Sequence, residues 1–337
     1  MAVVNTGNNG TTERVLFPED FMTVIDPPLR KPSFITWLAD QPYVLLSLMA
    51  LFWAANIVLG RYVAGHVPPF TLTFLRWAGT FLVVAPFAWP HLQRDWPAMR
   101  RHIPLLLALA LTGFALNNAL SYWGLQHTQA LNALLIQSSG PLFVALWALV
   151  LFGVRLSWMQ AIGILVSLLG VLVIVLRGNL AALSDIQVNS GDISFAGALF
   201  VFGLYSALMS KRPKINPLSL IAFTTGAGAV MLLPLVRWEV SAGNLLILDT
   251  LTIATVVFVV IFPSTLAYIF FNRGIELIGP NRTAPFFHLV PVFGSVMAIL
   301  LLGEKPELFH LVGYVLVLAG IFTASRRGSA GKRPAAP

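Results

Sequence analysis

From residue 42 onward the chain is a succession of apolar runs broken by short polar stretches. The runs lie at about 42–64, 69–89, 103–126, 130–152, 157–176, 190–210, 218–236, 251–274, 280–302 and 308–325. Each is near the roughly 20 residues that cross a bilayer as a helix. None alternates apolar with polar positions, and a strand would leave unpaired backbone in lipid, so the runs predict ten membrane helices. Connections are short, which predicts antiparallel neighbours. The longest breaks, 89–102, 177–189 and 237–250, carry the Asp, Asn, Pro and Ser of water-facing loops. Residues 1–41 are polar and loosely patterned, with no basic start leading into an apolar core, so they read as a mobile tail rather than a cleaved signal peptide.

The runs are not independent of one another. Nine identities recur at one offset of 150 residues, without a gap: Gly124 with Gly274, Pro141 with Pro291, Phe143 with Phe293, Ala148 with Ala298, Leu151 with Leu301, Gly153 with Gly303, Gly163 with Gly313, Leu168 with Leu318 and Gly170 with Gly320. Arg155 and Lys305 keep a basic residue in register, as do Arg61 and Lys211; after a two-residue slip Pro69 meets Pro217 and Pro86 meets Pro234. The chain therefore divides into a first five-helix repeat, 42–176, and a second, 190–325, flanked by the tail 1–41 and a basic tail, 326–337.

Composition sharpens this. Hydrophobic residues make up 57% of the chain and charged residues 10%, against about 25% charged in a soluble domain; mean hydropathy is +0.82. This is an all-α integral membrane protein. The net charge of +8 points to orientation signals, not to nucleic acid, because no soluble domain is left to present a basic surface. With the N terminus inside, 15 of the 21 Lys and Arg residues flank the cytoplasmic ends of the runs and 4 (Arg61, Arg177, Arg237, Lys305) the opposite ends. Both termini are then cytoplasmic. Five spans per repeat is an odd number, so the second repeat enters from the opposite face. The repeats are inverted about a pseudo-two-fold axis in the membrane plane, the arrangement that underlies alternating access. Cysteine is absent, which excludes disulfides and thiolate metal sites.

Phe52-Trp53-Ala54-Ala55-Asn56, then Arg61, Pro69 and Arg76, followed by Pro141, Gly153, Gly163 and Gly170, and in the second copy Leu302-Gly303-Glu304-Lys305, Gly313 and Gly320, resemble the drug/metabolite transporter superfamily, in particular its ten-span EamA-type members. The resemblance covers both repeats, about 42–325. The first copy departs from it: Val154 stands where Glu is usual, so any role of that Glu falls to Glu304 alone. The resemblance implies ten helices, with helices 1, 3, 4, 6, 8 and 9 around a central cavity, and export of small metabolites. The layout is similar to bacterial amino-acid exporters, including the YddG-type aromatic amino-acid exporters.

Polar side chains inside a membrane are costly and mark pathways. Trp53 and Asn56 share a face of the first helix; Asn118 and Tyr122 share a face of the third. Gln137 lies just before Pro141 and His288 just before Pro291; Tyr205 and Tyr268 sit deep in the sixth and eighth runs. These residues and Arg76 are the candidate substrate contacts. Arg76 offers a planar fork suited to a carboxylate, with snorkelling to the headgroups or a structural ion pair as the competing readings. His288 offers a titratable imidazole. Pro141 and Pro291 each leave the carbonyl four residues back without a helical partner, which fits either a hinge or a packing kink. No Asp or Glu lies centrally in any run, with Asp192 placed outside the spans; this favours movement down a substrate gradient, or coupling through His288, over carboxylate antiport.

No nucleotide-binding loop, metalloprotease motif or nucleophile–base set is present, so neither an ATP-driven pump nor an enzyme is expected, and neither metal nor cofactor. A channel needs a continuous polar stripe, whereas the polar groups here cluster at mid-depth. The reading is a monomeric secondary transporter in the lipid of a bacterial cytoplasmic (inner) membrane, exporting small metabolites, most simply amino acids; cationic drugs or nucleotide precursors are the alternative cargo.

Overall fold

The computed structural model describes residues 34–153, 158–176, 178 and 189–325. The chain divides into Met1–Asp40, whose described part is the short helix Phe34–Ala39, and Gln41–Pro337, which holds the bundle. Each of the ten predicted runs contains a helix: α1 (Pro42–Tyr62), α2 (Pro69–Met99), α3 (Ile103–Ala110 and Leu116–His127, joined by a π turn at Leu111–Ala115), α4 (Ala130–Gln137 and Gly140–Phe152), α5 (Trp158–Val175), α6 (Ser190–Leu208), α7 (Pro217–Ser241), α8 (Thr250–Val259 and Ala267–Ile278, joined by a π turn at Val260–Leu266), α9 (Pro280–Thr283, a 3₁₀ segment Ala284–His288, then Leu289–Leu302) and α10 (Leu308–Ser325). The described residues form no strand.

Five stretches are long and apolar enough to cross a membrane: Pro42–Tyr62, the continuous run Pro69–His127, Ser190–Lys211, Pro217–Ser241 and Thr250–Ile278; the two parts of α4, bent by 43°, make a sixth. The 59-residue run Pro69–His127 contains two of the predicted spans. The remaining apolar helices, Ala161–Ile174, Phe286–Leu302 and Leu308–Thr323, are shorter. Large apolar side chains such as Leu82, Phe87, Leu165, Leu300 and Leu311 are exposed, as a lipid-facing surface requires.

One predicted loop is helical instead. The segment 89–102 continues α2 to Met99 and then a 3₁₀ turn, Arg100–His102, despite Pro86, Pro90 and Pro97. Each proline removes one N–H, but packing holds the segment in place. Met99 is fully buried with Leu106, Leu109 and Leu220, and Ala88 packs on Ala222. Proline also opens α1, α2 and α7, where its missing N–H costs nothing. Gly153 and Gly303 close α4 and α9 in the left-handed region at φ 60° and 67°, which glycine adopts without strain.

The packing keeps the repeat. α5 pairs with α10 and α2 with α7; α3 packs on α6 as α8 packs on α1, and α4 on α6 as α9 on α1. Exchanging the halves maps each pair onto itself or onto another. The α5–α10 seam shows it residue by residue. A Cβ added at Gly170 would meet the Gly313 carbonyl oxygen at 2.7 Å, and one added at Gly320 would meet the Gly163 carbonyl oxygen at 2.5 Å. The two π turns also sit at matching positions in α3 and α8.

Carboxylates tie the halves together at helix starts, where free N–H groups and the helix dipole favour negative charge. Glu239, at the end of α7, accepts from Phe70 N (3.2 Å), Thr71 N (2.8 Å) and Thr71 Oγ1 (2.7 Å) at the start of α2. Reciprocally, Asp95, late in α2, accepts from Asn216 N and Ser219 Oγ at 2.8 Å at the start of α7. Glu304 accepts from Ala130 N and Leu131 N, both at 2.8 Å, at the start of α4. The position matching Ala130 is Pro280, which has no N–H to offer, and the position matching Glu304 is Val154. The departure of the first copy from the family pattern thus has a local physical counterpart.

Candidate substrate site

The π turn of α8 is where the site is built. Pro263 has no amide hydrogen, so the Val259 carbonyl four residues back loses its ordinary partner. The Ser264 hydroxyl takes that place, donating to Val259 O at 2.7 Å, and Thr265 Oγ1 donates to Val260 O at 2.8 Å. The widened turn also presents the Pro263 carbonyl, which accepts from Trp53 Nε1 of α1 at 3.1 Å. π turns of this kind recur at functional sites.

Arg76 of α2 meets this turn. Its Nε donates to Ser264 Oγ at 2.6 Å; its Nη1 donates to Asn118 Oδ1 and Tyr122 OH at 3.1 Å and reaches Asn56 Oδ1 at 3.4 Å. Tyr122 OH donates to Asn56 Oδ1 at 2.6 Å, and Asn118 Nδ2 is anchored on the Gly113 and Phe114 carbonyls beside the other π turn. The guanidinium lies 4.5 Å from the Trp77 ring centroid and 5.9 Å from that of Tyr122, within cation–π range. Four helices, α1, α2, α3 and α8, therefore converge on one cation.

The electrostatics are unusual. Arg76 is 4% exposed, which rules out snorkelling. Its partners are all neutral, and no carboxylate pairs with it among the described residues. A buried ion without a counter-ion carries a desolvation cost that neutral hydrogen bonds only partly offset, and a guanidinium does not shed its proton. Nη2 donates to no described residue, and the indole N–H of Trp77, the ring beneath the guanidinium, is buried without an acceptor. The site is a fixed positive charge with donors left for an acceptor oxygen.

An aromatic wall stands next to it. The Trp53 ring is 5.8 Å from Tyr268, 6.0 Å from Phe271 and 5.4 Å from Phe287. A vestibule of about 1260 Å³ opens at the end of the bundle that carries Arg61, His66, Gln126, Glu239, Lys305 and Glu307. Arg76 does not line it, but lies five residues beyond the Glu239-bound Thr71, about 7.5 Å along α2. At the rim His66 Nε2 sits 2.9 Å from Asp249 Oδ2. Asp249 caps α8; the Thr252 N–H holds its carboxyl below the usual range against an opposing desolvation, and His66 adds a lesser lowering.

The sequence matches the EamA-like transporter family over residues 41–176 and again over 189–326. The chain belongs to that family. This EamA-like transporter is 27% identical over 287 residues to the "Uncharacterized transporter YyaM" of Bacillus subtilis, a match covering 84% of the chain and 93% of the relative. It is 28% identical over 236 residues to the "Probable terminal-alkyne amino-acid exporter" of Streptantibioticus cattleyicolor, covering 70% and 77%. It is 23% identical over 286 residues to the "S-adenosylmethionine uptake transporter" of Rickettsia felis, covering 84% and 91%.

Five of the sequence-derived candidates in this EamA-like transporter, Trp53, Asn56, Arg76, Asn118 and Tyr122, come together, and Tyr268 joins them through Trp53. Tyr205 belongs to a neighbouring cluster: its ring is 5.8 Å from Phe114 and packs over Gly113, beneath the Asn118 anchor. Gln137 ends the first part of α4, and His288 ends the 3₁₀ segment of α9; neither side chain makes a hydrogen bond to a described residue. Pro141 stands at the 43° bend of α4, whereas Pro291 lies within the continuous stretch Phe286–Leu302, behind the 3₁₀ segment. Ser264, Pro263, Phe271 and Phe287 were not among the sequence candidates. Asp192 is a correction: far from lying outside the spans, it sits in the first turn of α6, fully buried.

Proposed function

We propose that this EamA-like transporter moves small zwitterionic metabolites, amino acids foremost, out of the cell across the bacterial cytoplasmic membrane, as a monomer with both termini in the cytoplasm. The observation that carries the reading is the buried, carboxylate-free Arg76 with donors to spare. Arg76 Nη2 and the Trp77 N–H receive the substrate carboxylate. Asn56, Asn118, Tyr122 and Ser264 orient the guanidinium, and Trp53, Tyr268 and Tyr205 cover the apolar side chain. Gln137 and His288, next to the Pro141 and Pro291 breaks, meet the ammonium end. Two inverted halves exchanging roles around Pro141 and Pro291 give alternating access; the exchange symmetry of the helix pairs supports this. A relative named as an amino-acid exporter and another named for S-adenosylmethionine fit one recognition element, since both cargoes carry an α-carboxylate beside an ammonium group.

Counterflow in proteoliposomes tests this. Vesicles are preloaded with unlabelled amino acids, with the matching decarboxylated amines, with S-adenosylmethionine, or with cationic drugs and nucleotide precursors. Accelerated uptake of a labelled amino acid by carboxylate-bearing loads alone is the expected result. Equal acceleration by the amines removes Arg76 from recognition, and acceleration by drugs or nucleotide precursors alone replaces the amino-acid reading.

A further inference from the structure

The helical course of 89–102 carries α2 past the bilayer core. Its 31 residues make a helix about 46 Å long, against about 30 Å of hydrocarbon, so its last turns stand in the headgroup layer. One exposed stripe follows it in steps of three and four residues: Val83, Phe87, Pro90, Arg94, Pro97 and, in the turn beyond, Arg101. The stripe is apolar where it faces lipid tails and cationic where the helix leaves them. Trp89 and Trp96 are exposed beside it, as indole rings that anchor a helix at the interface are. Pro97 has no amide hydrogen, so the carbonyl of Gln93, itself an exposed residue, lacks its helical partner within the cationic part of the stripe.

A second cationic segment stands against this arm. The apolar cluster of Met99, Leu106, Leu109 and Leu220 also takes in Met209 and Ile215. The α6–α7 connection therefore closes on the end of α2, and Asp95 fastens the two through Asn216 N and Ser219 Oγ at 2.8 Å. Arg100 and Arg101 follow Met99, Lys211 and Arg212 follow Met209, and Lys214 precedes Ile215; all five are exposed, as is Arg94. Asp95 is the one carboxylate within 89–102 and 209–217; one of its oxygens is committed to the start of α7 and the other lies 3.8 Å from Arg94 Nε. An orientation signal needs only the number of charges on a side. Here packing also fixes where they stand. We infer that the end of α2 and the α6–α7 connection form a binding site for the headgroup of an anionic phospholipid, phosphatidylglycerol by its chemistry. The cations take the phosphodiester, a glycerol hydroxyl donates to the Gln93 carbonyl, and the acyl chains lie along Val83 and Phe87. Arg94 is 18 residues beyond Arg76, about 27 Å along the helix, so the site is separate from that of the cargo and does not rest on the transport reading.

Thermal unfolding of the whole protein in a neutral detergent, with no cargo present, tests this. Phosphatidylglycerol is expected to raise the midpoint by about 5 °C at saturation, whereas phosphatidylcholine and soluble glycerol 1-phosphate leave it unmoved. The rise is expected to vanish in the triple variant Arg94→Gln, Arg100→Gln, Arg101→Gln and to persist in Lys305→Gln, at the vestibule end. An equal rise from phosphatidylcholine or glycerol phosphate, an equal rise in the triple variant, or no rise in the wild type overturns the inference. Should the triple variant fail to assemble, native mass spectrometry of the wild type and Arg101→Gln in an equimolar mixture of the two lipids decides. The wild type is expected to retain phosphatidylglycerol severalfold over phosphatidylcholine, and the single variant to retain less of it. Equal retention of the two lipids by the wild type, or an unchanged preference in the variant, overturns the inference.

Discussion

At matching positions, Asn56, Asn118 and Tyr122 of the first half face Ser206, Tyr268 and Asn272 in the second, and Arg76, by the slip that aligns Pro69 with Pro217, faces Thr224. The first set gathers around a cation. In the second, Thr224 is buried and spends its hydroxyl on its own helix, on Leu220 O at 2.7 Å, and Asn272 is exposed. The second half contributes from other positions: the Ser264 hydroxyl that accepts from Arg76 Nε, the Pro263 carbonyl that accepts from Trp53, and the rings of Tyr268, Phe271 and Phe287. Yet the π turns, the glycine caps and the helix pairs correspond throughout. Symmetry is kept where the backbone packs and given up around Arg76, so one frame is duplicated while the buried charge belongs to one half alone.

The most severe way to break this comparison is to give Arg76 a partner of its own. Asn118→Asp is nearly isosteric and places a carboxylate about 3.1 Å from Nη1. It is expected to abolish counterflow of amino acids, because the internal ion takes the substrate's place, while the new ion pair offsets in thermal stability the donors lost to the Gly113 and Phe114 carbonyls. Arg76→Lys, which retains charge but not the fork, is expected to lose about tenfold to a hundredfold in apparent affinity, as one charge-assisted bond is worth about 1.5–3 kcal/mol. Full activity in either variant would detach Arg76 from the cargo.

The shared frame is tested next. Gly320→Leu drives a branched side chain into the Gly163 carbonyl and the Ser167 backbone nitrogen, 2.5 and 2.6 Å from where its Cβ would stand. Overpacking of this kind costs about 1–3 kcal/mol or more, and Gly170→Leu, its counterpart on the other helix, is expected to cost a similar amount. Unequal losses in thermal unfolding would show that the seam is less symmetric than its contacts.

A smaller effect sharpens the contrast between Glu304 and Val154. Glu304→Val removes the acceptor for two N–H groups and is expected to cost about 1–2 kcal/mol. Ala130→Pro in that background copies the second half, and the pair is expected to cost less than the sum of the single changes, read by a double-mutant cycle.

The mildest prediction concerns acid. The Asn216 N–H, and after it Ser219 Oγ, hold the Asp95 carboxyl below its usual range, against an opposing desolvation. A lowered carboxyl stabilises the fold above its unfolded value, about 3.9, and that contribution fades as pH falls through the native value. The joint between α2 and α7 is therefore insensitive near neutrality and weakens only below about pH 4. Asp95→Asn is expected to flatten that acid loss in a thermal unfolding series.

How far the sequence alone could see follows from the range of each interaction. Helical spacing put Trp53 with Asn56 and Asn118 with Tyr122, and both pairs meet the site because three- and four-residue steps survive in any α-helix. Arg76 stood out as a cation in an apolar run. Ser264 did not, since its role arises from a π turn that shifts the register of α8 and from a proline whose orphaned carbonyl it caps. Asp192 and Glu239 looked like loop residues because polar groups mark helix ends. Their burial depends on Thr128, Asn132 and Thr71, which come from 60 to 168 residues away. The helical course of 89–102 was hidden by its prolines and is set by long-range packing of Met99.

The backbone contact between Gly170 and Gly313, with its twin between Gly320 and Gly163, has a mechanical meaning. At each crossing a glycine lets backbone approach backbone while a side chain of the facing helix, Val317, Ile174 or Ser167, closes over it, so a slide along the axis would drive that side chain into the neighbouring turn. The α5–α10 pair is therefore the stiffest seam between the halves, set apart from the Arg76 cluster, whose residues come from α1, α2, α3 and α8.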